Sequence, residues 1–137
     1  MAACRPTSRL SEIERRHRQI NDFEHMLAEE GTMVLKFFLT ISNDEQLARL
    51  HDRLEDPTKH WKFSINDVNE RARWPLYVDT FENMLSNTST EHAPWHVVPS
   101  NRKWFRNLLV SEVVCEAFES LGMQWPEPSE DLSKISL

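Results

Sequence analysis

A near-continuous apolar run from Met33 to Ile41, MVLKFFLTI, constrains the fold more than any other part of the sequence. A short apolar run rich in β-type residues predicts a strand covered on both faces, as in a parallel sheet flanked by helices. The interruption at Lys36 predicts a position at a sheet edge or in an ion pair. A third interpretation, in which the Lys36 amine points toward a ligand at the strand ends, stays open.

A helix-start signal follows this strand directly. The sequence Ser-Asn-Asp-Glu from Ser42 to Glu45 is a capping box, in which Ser42 caps the helix and Glu45 reaches back to the cap backbone. The predicted helix runs to about Leu54 and stops before Pro57. Trp61 lies in the basic stretch KHWK that follows, and we predict that it anchors this stretch by packing.

The remaining pattern is mainly helical. It predicts a helix from Ser8 that ends at Gly31, a second that starts at Ser64 and is reset at Pro75, and a last one over residues 101–121. Residues 95–98 form a short predicted strand between two prolines. The side chains of the last helix that are expected to face the core are Phe105, Leu108, Leu109, Val113 and Phe118.

The two predicted strands raise a structural question. A long helical connection separates them, which is what a parallel pair requires. A two-stranded parallel sheet leaves both outer edges open, and open apolar edges favour further pairing. The sequence therefore predicts part of a larger α/β sheet, or a chain that borrows neighbouring strands from a partner.

Composition narrows the class of protein. The 137 residues are 39% hydrophobic and 28% charged, which is typical of one globular domain. The net charge of −6 argues against a general nucleic-acid binder, and no run reaches membrane-spanning length. Cys4 and Cys115 lie far apart with no CxxC context, which favours a reducing compartment. We therefore expect a cytoplasmic protein with no nucleic-acid or membrane partner.

Two motif classes can be assessed from spacing alone. The only glycines are Gly31 and Gly122, so neither GxxxxGK[ST] nor GxGxxG can be formed by these residues. His92 and His96 have a metal-like spacing, but Pro94 lies between them and keeps them off one helix face. We predict no metal site there.

The strongest candidate for chemistry is a basic segment after the first strand. Arginine holds phosphate oxygens in a bidentate fork and lysine acts as a point charge, so a hinged basic segment can close over a phosphate chain. The alternative, a surface helix whose arginines are neutralised by Asp52 and Asp56, stays open. The candidate phosphate-binding residues are Arg49, Arg53, Lys59 and Lys62.

Three motifs in combination resemble the type-2 polyphosphate kinase family. They are LKFFL-x-IS-x-x-EQ, DP-x-K-x-WK and APW-x-VVP, and the resemblance extends from about Ile13 to about Leu121. It implies a P-loop kinase fold related to thymidylate kinase, and Mg²⁺-dependent phosphoryl transfer between polyphosphate and AMP, ADP or ATP. It also implies that residues 43–67 form a lid.

The resemblance assigns roles to individual positions. Arg49, Arg53, Lys59 and Lys62 match lid positions. Phe38, Leu39 and Ser42 match the strand that leads into the lid. Lys103 and Arg106 follow the last strand and match the nucleotide side.

The sequence also departs from the family. The Walker A loop with its lysine and the Walker B aspartate are absent, so the Mg²⁺ ligands are expected outside these residues. Residues 1–125 are expected to be the C-terminal part of a polyphosphate kinase type-2 domain, and 126–137 a disordered tail. Two functions stay open: a phosphotransferase acting with a P-loop half or as a homo-oligomer, and a non-catalytic truncated remnant or interaction subunit that binds polyphosphate or a sibling kinase.

Overall fold

The computed structural model describes residues 9–127 and 129, and within them the chain is a mostly helical α/β domain, as predicted. The predicted disordered tail lies mainly outside the described residues. The elements in chain order are α1 (Arg9–Glu29), β1 (Lys36–Thr40), α2 (Asn43–Glu55), a 3₁₀ helix (Pro57–Lys62), α3 (Ile65–Arg71), α4 (Trp74–Thr88), β2 (Trp95–Pro99) and α5 (Lys103–Ser120).

The sheet of the described chain consists of β1 and β2, paired in parallel. The register places Lys36 beside Trp95 and Thr40 beside Pro99. The connection between the strands carries α2, the 3₁₀ helix, α3 and α4, which is the long crossover that a parallel pair requires. The prediction of two parallel strands is confirmed, although β1 covers only five residues of the apolar run.

A buried polar network centred on Lys36 joins both strands to α1 and α4. The Lys36 ammonium donates to Glu24 Oε2 at 2.6 Å and to the Thr88 carbonyl at 2.5 Å, and it lies 5.0 Å from the centre of the Trp95 ring. Trp95 Nε1 donates to Thr88 Oγ1 at 2.9 Å. The prediction of a paired Lys36 is confirmed. The interpretation in which Lys36 points toward a ligand is wrong, because its donors are directed into this network.

The capping box is half formed. Ser42 Oγ accepts from the Glu45 N–H at 3.2 Å, as predicted. The Glu45 carboxylate instead accepts from Arg49 Nε at 2.8 Å, and the Ser42 N–H donates to Asn101 Oδ1 at 2.9 Å. The reciprocal contact is absent because a charge-assisted bond one helical turn away is stronger, and because Asn101 supplies the acceptor that the cap backbone needs.

The other predicted helix ends are confirmed. Gly31 has φ of 78° and ends α1 in a left-handed turn that any other residue would strain. Ser64 Oγ accepts from the Asn66 N–H at 3.2 Å and caps α3. Pro75 lies in the first turn of α4, where its missing N–H costs nothing.

Three predicted packing positions are wrong. Trp61 is 79% exposed, because the 3₁₀ helix projects it away from the sheet. Leu108 and Phe118 of α5 are 47% and 57% exposed. A helix lying on a two-stranded sheet can bury only one stripe of its surface, and α5 packs along β2 with its other side.

Candidate functional site

A cavity lies between β1 and the helices of the crossover. It has a volume of about 670 Å³, and we call it the arginine cleft. Its basic side is formed by Arg49 and Arg53 of α2, and acidic groups of α3 and α4 face them. Its polar and charged lining comprises Gln46, Arg49, Arg53, Asn66, Asp67, Glu70 and Glu82.

Arg49 is held firmly. Its Nε donates to Glu45 Oε1 at 2.8 Å, and its Nη2 donates to the Ser100 carbonyl at 2.8 Å. The second contact joins α2 to the turn that follows β2. The side chain is about one-third exposed, and its remaining guanidinium hydrogens are available to a ligand in the arginine cleft.

Arg53 lies one turn further along α2 and is held more loosely. Its contact with α3, from Nη1 to Asp67 Oδ2, is long at 3.4 Å. A charge-assisted bond of good geometry is shorter by about half an ångström. The guanidinium of Arg53 is therefore the more available of the two to an incoming anion.

The acidic side of the cleft is engaged with its own neighbours. Glu70 accepts from Tyr77 Oη at 2.8 Å and from Arg73 Nη1 at 3.2 Å. The hydrogen bond to Glu70 raises the pKa of the Tyr77 hydroxyl above its usual value. The apolar wall is aromatic, since the rings of Phe38 and Phe81 lie 4.9 Å apart and those of Tyr77 and Phe81 lie 6.0 Å apart.

Lys59 lies outside the arginine cleft and is neutralised by two carboxylates. Its ammonium is 2.9 Å from Asp52 Oδ2 and 2.9 Å from Asp56 Oδ2, and the bond to Asp52 raises the Lys59 pKa most. Hydrogen bonds from Thr58, then from Lys59, lower the pKa of Asp56 to about 2 from 3.8. A lowered carboxyl pKa stabilises the fold above about pH 3.8, and this contribution is lost as the pH falls through about 2.

Lys62 also stands apart from the cleft. Its ammonium lies 4.8 Å from the centre of the Trp61 ring, and both side chains are exposed. The structure thus groups Arg49 with Arg53 and places Lys59 and Lys62 on the outer side of the predicted lid. The aspartates expected to neutralise the two arginines, Asp52 and Asp56, instead hold Lys59.

A second, smaller cavity of about 420 Å³ lies at the carboxyl ends of both strands, and we call it the strand-end pocket. Asn101 closes its base, because its Nδ2 donates to Ser42 Oγ at 3.1 Å. Arg102 lines it, whereas Lys103 is exposed at the start of α5 and Arg106 Nη2 donates to Asn107 Oδ1 at 2.8 Å. The full lining is Thr40, Ile41, Ser42, Pro99, Asn101, Arg102 and Phe105.

Two arginines of this region are not among the residues predicted from the sequence. Arg102 lines the strand-end pocket, whereas its neighbour Lys103 is the residue that was predicted. The position of Arg102, in the turn after a strand that ends at Pro99, could have indicated it. Arg71 Nη1 donates to the Asn43 carbonyl and to Gln46 Oε1 at 3.0 Å, and so joins α3 to the start of α2. No spacing pattern marks Arg71, because its partners lie 28 and 25 residues away.

Among the described residues, no group of three or more His, Cys, Asp or Glu side chains could hold a metal ion. Asp67 and Glu70 in the arginine cleft are already engaged by arginines. His92 lies beside His25, with ring centres 5.0 Å apart, whereas His96 lies beside Phe37.

None of the helices within residues 9–127 combines the length and the apolar character that crossing a membrane requires.

These features define a mostly helical α/β protein with a pocket at the carboxyl ends of its two parallel strands. The family model described as Polyphosphate kinase 2 (PPK2) matches residues 4–125. The chain therefore belongs to the polyphosphate kinase 2 family.

Three relatives illustrate the similarity. An AMP/ADP-polyphosphate phosphotransferase of Meiothermus ruber is 49% identical over 122 residues, which are 89% of this chain and 46% of that protein. A crystal structure of polyphosphate kinase 2 from Arthrobacter aurescens TC1 superposes with a TM-score of 0.87 at 47% identity, covering 90% of this chain and 44% of that one. A protein of Leptolyngbya boryana, described as uncharacterized, is 44% identical over 85% of this chain and 86% of its own length.

The chain thus spans less than half the length of the phosphotransferase and of the crystallised kinase. The predicted family is confirmed, and so is the mostly helical α/β fold with two parallel strands.

Proposed function

We propose that these 137 residues form the lid-bearing and nucleotide-side half of a polyphosphate:AMP/ADP phosphotransferase. The Gly-rich loop and the metal-holding carboxylate would lie in a P-loop half outside these residues. The name of the Meiothermus ruber relative, AMP/ADP-polyphosphate phosphotransferase, supports this reaction and these substrates. The name of the Arthrobacter aurescens relative, polyphosphate kinase 2, supports the reaction class. The share of each relative that the chain spans is consistent with a half.

The proposed fold of the complete enzyme is a P-loop kinase fold related to thymidylate kinase. In the described residues each strand of the sheet has one hydrogen-bonded neighbour, so each has a free outer edge. The P-loop half would add its strands beside β1, and the strand ends with their two cavities would then face the phosphate-binding loop. The lid proposed here is the segment over residues 43–67.

The arginine cleft carries the proposal. In phosphoryl transfer a polyphosphate end group passes to a phosphate oxygen of the nucleotide, and negative charge is spread over the oxygens of the moving group. Arg53, with one long contact, and Arg49, with part of its guanidinium uncommitted, would donate to these oxygens and to the polyphosphate chain. Mg²⁺, held by the other half, would neutralise the nucleotide phosphates. Arg102, Lys103 and Arg106 would act on the nucleotide side.

The contacts of the four lid cations predict which of them contribute most to polyphosphate binding. Replacing Arg53 by Ala is expected to weaken polyphosphate binding by about 1.5–3 kcal/mol, roughly ten- to a hundredfold, because hydrogen bonds to a charged group are lost. Replacing Lys59 by Ala is expected to change affinity by less than about threefold, because Asp52 and Asp56 already neutralise that ammonium. Isothermal titration of each variant with polyphosphate at fixed ionic strength measures both effects.

The control for this titration is Arg15→Ala. Arg15 is an exposed cation of α1 that pairs with Glu12 at 3.7 Å, and it lies outside both cavities. Equal losses in the Arg53, Lys59 and Arg15 variants would indicate a general charge effect and would contradict the role of the arginine cleft.

A mixing assay tests the reaction itself. Transfer of phosphate from polyphosphate to ADP is measured for this chain alone, for a P-loop half of a polyphosphate kinase 2 relative alone, and for the two together with Mg²⁺. We expect transfer from the mixture only, and a lower rate when this chain carries Arg53→Ala. No transfer above background in the mixture would reject the phosphotransferase assignment.

The second candidate function is a non-catalytic subunit that binds polyphosphate or a sibling kinase. The absence from these residues of the glycines that a phosphate-binding loop needs is the observation that favours it. This function predicts that the chain binds polyphosphate through the arginine cleft but leaves the mixed assay at background.

A further inference from the structure

Helix α2 is joined to the turn after β2 at its first residue and again nearly two turns later. At the first point the Asn101 side chain contacts Ser42, the residue that caps α2. At the second point Arg49 Nη2 donates to the Ser100 carbonyl at 2.8 Å. The partners lie 59 and 51 residues apart in the sequence. We call these four residues the α2 anchor.

Two hydrogen bonds join Asn101 to Ser42. The Ser42 N–H donates to Asn101 Oδ1 at 2.9 Å, and Asn101 Nδ2 donates to Ser42 Oγ at 3.1 Å. Because a backbone N–H can only donate, the amide oxygen has to face it, and this fixes the orientation of the Asn101 amide. Ser42 Oγ also accepts from the Glu45 N–H at 3.2 Å. The same hydroxyl therefore caps α2 and binds the turn.

The turn that holds α2 is in its own right fixed to the sheet. Ser100 is 3% exposed, and its N–H donates to the Thr40 carbonyl at 2.7 Å. This bond continues the pairing of β1 with β2 one residue beyond the strands. Ser100 Oγ donates to the Val98 carbonyl at 2.9 Å. The α2 anchor thus joins a helix to a position that both strands define.

The distance from Ser42 to Arg49 makes the direction of α2 important. Arg49 lies seven residues beyond Ser42. This spacing is about 10 Å along a helix axis, so a tilt of about 10° at Ser42 would move the backbone of Arg49 by roughly 2 Å. Such a displacement is enough to break the hydrogen bond to the Ser100 carbonyl. The place of the Arg49 guanidinium in the arginine cleft therefore depends on how α2 is held at its start.

We propose that Asn101 is a positioning residue, which acts through Ser42 to fix the direction of α2 and thereby places the Arg49 guanidinium in the arginine cleft. Asn101 lines the strand-end pocket and not the arginine cleft, so it acts on an anion in the cleft only through α2. The fixed direction of α2 is independent of any ligand. Its effect on polyphosphate binding rests on the proposed function.

Hydrogen–deuterium exchange tests the positioning without a ligand. Asn101→Ala removes both bonds to Ser42, and we expect exchange in residues 42–49 to rise at least several-fold while β2 is unchanged. Asn101→Asp is expected to restore most of the protection, because its carboxylate can accept from the N–H and from the hydroxyl of Ser42. Circular dichroism confirms that each variant is folded.

The control for the exchange experiment is Asn87→Ala. The Asn87 side chain donates to the Asn83 carbonyl within α4 at 2.7 Å, and it lines neither cavity. We expect native exchange in residues 42–49 of this variant. Native exchange in the Asn101→Ala variant as well, or an equal rise in the Asn87 variant, overturns the proposal.

Titration with polyphosphate tests whether Asn101 acts through Arg49. Asn101→Ala changes no charge, and it is expected to weaken binding about two- to tenfold, because the anion must then bring Arg49 into position. In a chain that already carries Arg49→Ala, the Asn101 substitution is expected to cause no further loss. An equal loss in both backgrounds would show that Asn101 does not act through Arg49 and would overturn the proposal. A native chain that does not bind polyphosphate rejects the proposed function and the effect on anion binding, whereas the exchange experiment decides separately whether Asn101 fixes α2.

Discussion

At the scale of single residues, the buried Lys36 ammonium joins β1 to α1, α4 and β2. The side chain is 8% exposed, and its partners belong to α1 and to the end of α4, with the Trp95 ring of β2 beside it. A buried ion pair adds little net stability over an apolar pair of similar size, because both charges lose water. Removing one partner is destabilising, because the other charge then stays buried without a partner.

Replacing Lys36 by Met is therefore expected to destabilise the chain by about 3–5 kcal/mol, because Glu24 is left buried and unpaired. The double variant Lys36→Met with Glu24→Met is expected to recover a large part of this loss. Urea unfolding followed by circular dichroism measures the free energies. A double variant less stable than the Lys36 single variant would mean that the pair stabilises the fold beyond satisfying its own charges.

At the scale of elements, arginine side chains join α2 of the predicted lid to the turn after β2 and to α3. Arg49 ties the middle of α2 to the turn after β2 through the Ser100 carbonyl. Arg71 ties α3 to the first turn of α2 through the Asn43 carbonyl and Gln46. The 3₁₀ helix between α2 and α3 has no buried residue, so the Arg71 contacts and the longer Arg53–Asp67 contact define how the two helices lie together.

Replacing Arg71 by Ala is expected to loosen α3 from α2 while leaving the sheet unchanged. Hydrogen–deuterium exchange should rise at least several-fold in residues 65–71 and in the first turn of α2, with no change in β1 and β2. Arg73→Ala is the matched control, because Arg73 is exposed and its partner, Glu70, lies on the preceding turn. Equal increases in both variants would show that Arg71 does not join the helices.

At the scale of the whole molecule, the described residues bury few apolar side chains completely. Among the described apolar residues only Leu50, Ala93 and Val98 are buried. Leu39 and Val97 of the sheet are 50% and 54% exposed, and Phe118 of α5 is 57% exposed. Most apolar side chains of these residues are therefore in partial contact with solvent.

How far the sequence could predict the structure depends on the range of the contacts. Local signals were sufficient for the Ser42 and Ser64 caps and for the left-handed turn at Gly31, because each involves groups only a few residues apart. The apolar run and its long crossover were sufficient for the parallel pair. The partners of Lys36 and Arg71 could not be predicted from the sequence, because they depend on which helices and strands become neighbours in the fold. The exposed side of α5 was misassigned because both of its sides are apolar and periodicity alone does not say which one meets the sheet.

The contact from Arg49 to the Ser100 carbonyl has a consequence for the entropy of anion binding in the proposed function. Because Nε and one Nη2 hydrogen are already engaged, the guanidinium is fixed before a ligand arrives. A phosphate oxygen that binds the remaining hydrogens would therefore cost little further side-chain freedom. The same bond to the loosely held Arg53 would also have to immobilise that side chain.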